Sequence, residues 1–472
     1  MSLALPKNAV GEGLLVAAPL LLVSAAAGIL TVRSASAAAA LVLGLAAGLI
    51  VFTDFRALPL FLVSTIFVES VSFGDGLTIG RLAGGLALAV VIVHLLARNT
   101  PVLGADSVLI ASGALFAWSL ASAYWAGDPA YVFRTVASFG VSAGYILACV
   151  VLIRSREHLR LVFATFVAGA GVFGLVSIAS YVASGRSAGG EGLQGDQNFF
   201  ALYQVVAVPL ALLLAAMEER STRRTLLYAV VGVIVISVVA SLSRGGLVAL
   251  GVVVLATLVA PARLLFGSAA RKLSYTLMLA TTAAVALLVG AAPFLDRFRS
   301  IFDVSDPRGD RASGRIDLWH AAWKGFEESP LLGLGAGNFQ ARALDLLQTT
   351  PGVDLRRNYV EAGRVVHNAY LEVLTELGVI GFALFVAVLG LTLWRLVTTS
   401  RRAASIGDLF VERSAAGLLL ALLAIAVGAI SLSLEYGRLL WLVIGLALAL
   451  DSLSRQRVSP TEASPPQPAA AL

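Results

Sequence analysis

Apolar residues in this chain come in blocks close to the length of about 20 that crosses a bilayer as a helix, and such blocks recur along almost the whole sequence. That pattern excludes a membrane β-barrel, whose strands are short and alternate in polarity. Blocks at 11–32, 35–53, 57–72, 82–97, 108–126, 134–153, 160–184, 199–216, 226–242, 246–265, 274–293, 369–397, 414–433 and 438–452 predict an all-α polytopic membrane protein with about 12–14 transmembrane helices. The apolar run from Leu226 to Phe266 counts as two spans. One helix of that length would extend about 60 Å, twice the hydrocarbon thickness, and Ser243-Arg244-Gly245-Gly246 interrupts it midway. Lys7 and the Ser34-Ala35-Ser36-Ala37 stretch resemble a signal peptide, but the length of the first block favours an uncleaved helix.

One long polar insertion departs from the pattern, and it divides the chain. Residues 1–293 form a helix bundle, 294–366 a polar loop, 367–453 the last transmembrane helices, and 454–472 a Pro/Ala/Ser-rich tail with too little to bury. The loop carries nine arginines, Lys324 and ten acidic residues, the mixed charge of a folded surface. Within it, Ser313 is the expected N-cap of a helix, with Ile316, Trp319, Trp323 and Phe326 on one face and Ser329-Pro330 as its stop. That face is suited to the bilayer surface or to the bundle. A glycine turn at 333–337 then leads into a second helix from Phe339 to Leu347. With no strand before it, the glycine run reads as a helix–helix turn rather than a nucleotide loop.

Composition agrees with the hydropathy pattern. Of 472 residues, 58% are hydrophobic and 13% charged, against roughly 25% charged in soluble domains; the mean hydropathy is +0.90. The net charge of +6 is explained by basic cytoplasmic loops, not by nucleic-acid binding. Cys149, the single cysteine, lies in an apolar run, so neither an intrachain disulfide nor a thiolate metal site is expected. Alternating the spans collects Arg98, Arg154, Arg156, Arg160, Arg263, Arg401, Arg402, Arg413 and Arg455 on one side, which is assigned to the cytoplasm together with both termini. The opposite face then holds the 294–366 loop, the 185–198 loop and the Ser243–Gly246 break.

Against that charge bias, Arg81, Arg134, Arg186, Arg244, Arg315, Arg364 and Arg438 fall at the outer membrane edge. Taken singly, each reads as an arginine snorkelling to lipid phosphates. As a set they point to an anion site, because the guanidinium fork matches phosphate oxygens. His367, at the mouth of a span, is placed to act as a general base or, more simply, to hydrogen-bond a loop carbonyl. Glu372 and Glu376 lie one helical turn apart and either orient His367 or satisfy a polar patch in the bundle. Glu69 lies near the outer end of the third span, where it either partners Arg81 or, more simply, sits close to the interface. Asp196-Gln197-Asn198 opens a span, where Asp196 suits an N-cap as well as a ligand. No set of His and carboxylate residues has metal-ligand spacing, so no metal and no cofactor is predicted.

Four motifs in order give the chain a resemblance: Gly195-Asp196-Gln197-Asn198-Phe199-Phe200-Ala201, Ser241-Leu242-Ser243-Arg244-Gly245, Gly314-Arg315-Ile316-Asp317-Leu318-Trp319 with Ser329-Pro330-Leu331-Leu332-Gly333-Leu334-Gly335, and Val366-His367-Asn368-Ala369-Tyr370-Leu371-Glu372. With the large loop between the late spans, these resemble the O-antigen ligase and polymerase superfamily across about 190–395, with Gln197 standing where that family often has proline. The resemblance implies a metal-independent, inverting glycosyltransfer at the outer face of the inner membrane. It would move a glycan from undecaprenyl diphosphate to a hydroxyl of lipid A-core or of another lipid-linked glycan. It assigns His367, Arg244 and Arg315 to catalysis. Arg81, Arg134, Arg186, Asp196, Asn198, Arg364, Asn368 and Glu372 complete the expected substrate-binding set, with membrane lipid as surroundings. The competing class is a transporter of an anionic or lipid-linked solute, against which stands the lack of any repeat between the two halves.

Overall fold

The computed structural model describes residues 54–69, 78–98, 106–184, 196–281, 314–353 and 363–456. The expected spans within 11–53, most of 274–293, the loop residue Arg186, the cap Ser313 and the tail beyond 456 lie outside them. All regular elements among the described residues are helices: α1 Leu58–Thr65, α2 Ile79–Arg98, α3 Ser107–Ala121, α4 Pro129–Leu152, α5 Arg156–Ser184, α6 Gln197–Met217, α7 Ser221–Ala240, α8 Arg244–Val259, α9 Ala262–Leu265, α10 269–281, α11 Arg315–Glu328, α12 Asn338–Thr349, α13 Ala369–Ser405, α14 Leu409–Gly428 and α15 Arg438–Arg455. Eight of them are long and apolar enough to cross a membrane. The chain is an all-α polytopic membrane protein, as its apolar blocks predict.

Two helices form the centre. Along α6 every residue from Phe200 to Ala216 is buried, and along α15 so is every residue from Leu439 to Asp451. Around α6 pack α5, α7, α8 and α14; around α15 pack α4, α13 and α14. Helices apolar on all sides belong in such a position, since lipid-facing neighbours shield them.

Three expectations change. Among the described residues of the 57–72 block the helix ends at Val68: Phe55–Val68 consists of α1 between two short 3₁₀ turns, with Leu58–Val68 buried in the bundle. The 246–265 block ends at Val259, because Pro261 starts the separate four-residue α9. The 369–397 block is broken at Gly378, whose φ of 66° and ψ of −170° are not helical. A strap from the loop occupies that break. Pro330 accepts from Val379 N–H at 2.9 Å, while Leu334 and Gly335 donate to the carbonyls of Thr375 and Glu376 at 3.0 and 2.8 Å. A Cβ on Gly378 would stand 2.2 Å from the Leu331 carbonyl oxygen, so the approach itself requires glycine.

The first loop helix docks on the bundle mainly through small residues. On α11 the buried face is Leu318, Ala321, Ala322 and Gly325, with Thr375 Oγ1 of α13 donating to the Ala322 carbonyl at 2.9 Å. Ile316 and Trp323 of the expected aromatic face are exposed instead. Close backbone packing in membrane-associated helices favours small side chains at the contact, and bulk is then left outside. The helix starts after Gly314, in the left-handed region at φ 74°, which takes the cap position expected of Ser313. The glycine turn joins α11 to α12 as expected, and Asn338 staples it to the α3–α4 turn by exchanging hydrogen bonds with the Asp128 backbone at 2.8 and 3.1 Å.

Candidate active site

The N-terminal ends of α6, α8, α11 and α13 carry the motif residues, and hydrogen bonds tie α6 to α8 and the start of α13 to the α14–α15 turn. Asp196 caps α6 by accepting from Asn198 N–H at 2.6 Å, and it also accepts from the Asn198 side-chain amide at 2.8 Å. Ser243 Oγ donates to Asn198 Oδ1 at 2.7 Å and accepts from Gly246 N–H at 3.0 Å, capping α8. The first motif is thus bonded to the second, and Arg244 is fixed as the first residue of α8. Gly245 and Gly246 allow the fit, since Cβ atoms there would lie 2.2 Å from Ser431 Oγ and 2.3 Å from Ala201 Cβ.

His367 stands just before α13. Asn368 caps that helix, its Oδ1 accepting from Tyr370 and Leu371 N–H at 3.1 Å each. The His367 N–H donates to Ser433 Oγ at 3.2 Å, and Ser433 in turn donates to Glu372 Oε2. His367 has φ of 56°, and Leu242, ahead of the α8 cap, has φ of 55°; they are the only non-glycine residues with positive φ among the described ones. Such a conformation costs of order 1–3 kcal/mol for a non-glycine residue. Both strained residues immediately precede the cap of a helix that carries a motif residue.

Charges converge on the His367 ring. Burial holds its pKa below the ordinary imidazole value, Arg315 lowers it further, Asp196 opposes this, and Arg364 adds to the lowering. Arg315 and Asp196, distant in sequence from Arg364 and His367, therefore share one locality with them. The ring stays neutral to lower pH than a free histidine and retains its capacity to accept a proton.

Beside the His367 loop lies a cavity of about 480 Å³. Arg81, Glu372, Glu376 and Val365 line it, with Ser433, Glu435 and Arg438 from the α14–α15 side. Arg81 donates to Ser138 Oγ at 3.3 Å. Glu69 pairs not with Arg81 but with Arg438, at 3.0 Å, and also accepts from Tyr203 Oη. Glu376 is committed to the loop, accepting from Gly337 and Phe339 N–H at 2.7 and 3.2 Å at the start of α12. Of the two readings of Glu372 and Glu376, orientation of His367 fits the first residue and a polar patch the second. Arg134 is exposed at the start of α4, its guanidinium 5.4 Å from the Tyr131 ring centroid. Ser433, Glu435 and Arg438 carry contacts that the motifs alone did not assign. Among the described residues, no three His, Cys, Asp or Glu side chains come together in a way that would hold a metal ion.

Residues 227–386 match the family model described as O-antigen ligase. No curated protein matches the chain. The matched stretch runs from α7 into α13 and takes in Arg244, Arg315 and His367.

Proposed function

The chain belongs to the O-antigen ligase and polymerase superfamily, and from that premise we propose that it joins a glycan carried on undecaprenyl diphosphate to an acceptor hydroxyl on lipid A-core. Its class of activity is glycan processing in the inner membrane. In the proposed reaction His367 takes the proton of the acceptor hydroxyl. The freed oxygen pair attacks the anomeric carbon from the side opposite the diphosphate and forms the glycosidic bond. The bond from that carbon to the diphosphate oxygen breaks, its electrons leave with undecaprenyl diphosphate, and the anomeric configuration inverts. Negative charge grows on the leaving oxygens, so Arg244 and Arg315 act where that charge develops and take the part of a divalent cation.

The observation that carries this reading is the setting of His367. Its backbone is held by Ser433 and through it by Glu372, and burial first, then Arg315 and Arg364, lower its pKa below the ordinary imidazole value. A base must be unprotonated and fixed before it can act. In this reading residues 294–366 are an extracytoplasmic catalytic segment, both termini are cytoplasmic, and Arg134, Arg186 and Asn368 border the substrate path.

The test is transfer by the purified chain from an undecaprenyl-diphosphate glycan to lipid A-core in excess EDTA. A glycosidic product from wild type, and about 10²–10⁴-fold slower formation by His367→Ala, is expected. Activity lost with chelator and restored by magnesium would remove the metal-independent mechanism. Product formed only on a second lipid-linked glycan would make the chain a polymerase, and movement of the donor across vesicles without bond formation would make it a transporter. For the side of the membrane, His367→Cys in a Cys149→Ser background should react with an impermeant thiol reagent in intact spheroplasts; labelling only after lysis would reverse the assignment.

A further inference from the structure

Within the cavity beside the His367 loop, Glu435 is not explained by the proposed transfer chemistry. The residue is 5% exposed, it lines the cavity, and its Oε2 has no hydrogen-bond partner among the described residues. Nε of Arg438, also on the cavity wall, is likewise buried without a hydrogen-bond partner. Leaving a buried polar atom unpaired costs about 1–3 kcal/mol, more for charged groups, so two in one cavity point to a ligand that supplies the missing bonds. The turn bearing them is held in place: the Glu435 carbonyl accepts from Trp441 Nε1 at 2.9 Å, and the Tyr436 carbonyl accepts from Ser142 Oγ at 3.0 Å. These groups are therefore fixed before any ligand arrives.

We propose that this cavity binds one neutral sugar residue, presented as part of the acceptor glycan. Its volume, about 480 Å³, is in the range of about 300–1,000 Å³ usual for small-molecule sites. An anion is disfavoured, because Glu69 already neutralises Arg438 at 3.0 Å and Glu372, Glu376 and Glu435 share the wall. An amine is disfavoured by Arg81 and Arg438. What remains is a ligand with both donors and acceptors and no charge, and a sugar's hydroxyls match carboxyl and guanidinium groups of this kind. Burial raises the pKa of the Glu435 carboxyl well above the usual range, with Glu372 and then Glu376 adding to the effect, which favours the protonated form that donates as well as accepts. Phe199 and Tyr436 supply aromatic surface on the same wall, suited to the carbon-bound face of a pyranose.

The acceptor is favoured over the donor by position. Ser433 and Glu372, which fix the His367 backbone, also line the cavity, so a sugar seated there lies next to the proposed base, whereas Arg244 belongs to the α6–α8 side. Only this choice of acceptor rests on the transfer reading.

The experiment has two arms. In the first, saturation-transfer NMR on the purified full chain in nanodiscs uses free glucose and N-acetylglucosamine, with glucose 1-phosphate as the anionic comparison. A saturable signal from a neutral sugar is expected, lost in Glu435→Leu. Gln340→Trp, on the loop wall of the cavity, should also remove it and keeps the test decisive if the first variant does not fold. Absence of the signal in wild type, its persistence in both variants, or a preference for the phosphate would overturn the proposal. In the second arm, Glu435→Leu should raise the KM for acceptor about tenfold, the effect of losing one hydrogen bond to a buried group, and leave the KM for donor unchanged. A rise for donor alone would overturn the acceptor assignment. Sugar binding without any transfer would sink the transfer reading and leave the cavity's ligand standing.

Discussion

The two ends of the helix bundle use charge differently. At the end opposite the site, arginines meet carboxylates directly: Arg156 with Asp408, Arg263 with Glu412 through two bonds of 3.0 and 2.7 Å, and Asp451 with Arg395, Arg402 and Arg455 at 2.8, 3.2 and 2.9 Å. At the site end, acidic groups are bonded mainly to hydroxyls and backbone N–H groups: Glu372 to Ser433, Glu376 to the start of α12, Asp196 to Asn198. The ion pairs described there are Glu69 with Arg438 and, on the loop helices, Arg342 with Glu328 and Asp345. Direct pairing clamps helix ends, whereas a carboxylate that accepts from N–H groups positions a loop without neutralising a nearby arginine. The first end is built for cohesion and the second to keep positive charge close to His367.

The largest effect that separates the two ends is at His367. His367→Ala should lower turnover by about 10²–10⁴-fold, the usual contribution of a general base, while the folded fraction is unchanged. Asp451→Ala should do the reverse. It leaves three arginines without their shared acid at a buried position, which lowers the melting temperature and yield, yet turnover per folded molecule stays near wild type. Full turnover in His367→Ala, or lost turnover in well-folded Asp451→Ala, would erase the distinction.

Next in size is Arg244→Lys. Lysine keeps the charge but not the two-pronged donor fork, and the α8 start is too tightly packed against Ala201 and Ser431 to shift. Transfer at subsaturating donor should fall at least tenfold, with the KM for donor raised. At the opposite end Arg263→Lys, facing Glu412 from a side chain that is mostly exposed, should have almost no effect on either readout. A third, smaller effect belongs to Ser433→Ala, which removes the bond to the His367 N–H and the donor to Glu372. A several-fold loss in kcat is expected, and Ser433→Thr, which keeps the hydroxyl, should recover most of it. No rescue by threonine would mean that the hydroxyl does not position the histidine.

How much of this was legible in the sequence follows from whether the cause is local. Block length and the Ser-Arg-Gly-Gly interruption are local, and α7 and α8 separate where they predict. The cap at Asp196 is local too. The Gly378 break is not: glycine is common in apolar spans, and what opens this helix is backbone pairing with a strap some 45 residues earlier in the chain. For the α11 face the sequence left the bilayer surface and the bundle open, because which side packs depends on the partner: small residues pack on α13 here, and Ile316 and Trp323 face outward. Among candidate residues, Arg315, Arg364 and Asp196 lie close enough to His367 to act on its charge, while Arg244 heads α8, bonded through Ser243 to the start of α6. Glu69 was given Arg81, twelve positions away, and took Arg438, on the last helix, because α2 and α15 both pack on α4. Ser433 and Glu435 lie in a short turn without a motif. Their role exists only because that turn meets the start of α13.

The smallest effect is the most specific test of the charge field at the site end. His367 is held below the ordinary imidazole range by burial first, then by Arg315, with Asp196 opposing and Arg364 contributing. As a base it must be neutral, so kcat/KM, which reports the free enzyme, should fall as pH drops through that depressed pKa. Arg364→Gln removes one positive neighbour, raises the pKa toward its ordinary value and moves the acid limb to higher pH; burial remains, so the limb stops short of a free histidine's. Asp196→Asn has the opposite sign. It deletes the negative neighbour and lowers the pKa, and asparagine still caps α6, so the acid limb should move to lower pH with the fold intact. The activity plateau above neutrality should be the same in both, apart from a uniform offset. Two variants shifting one limb in opposite directions cannot be explained by a general loss of structure. If both shift it the same way, or neither moves it, the titrating base is not His367, and Glu372 is the group to replace next.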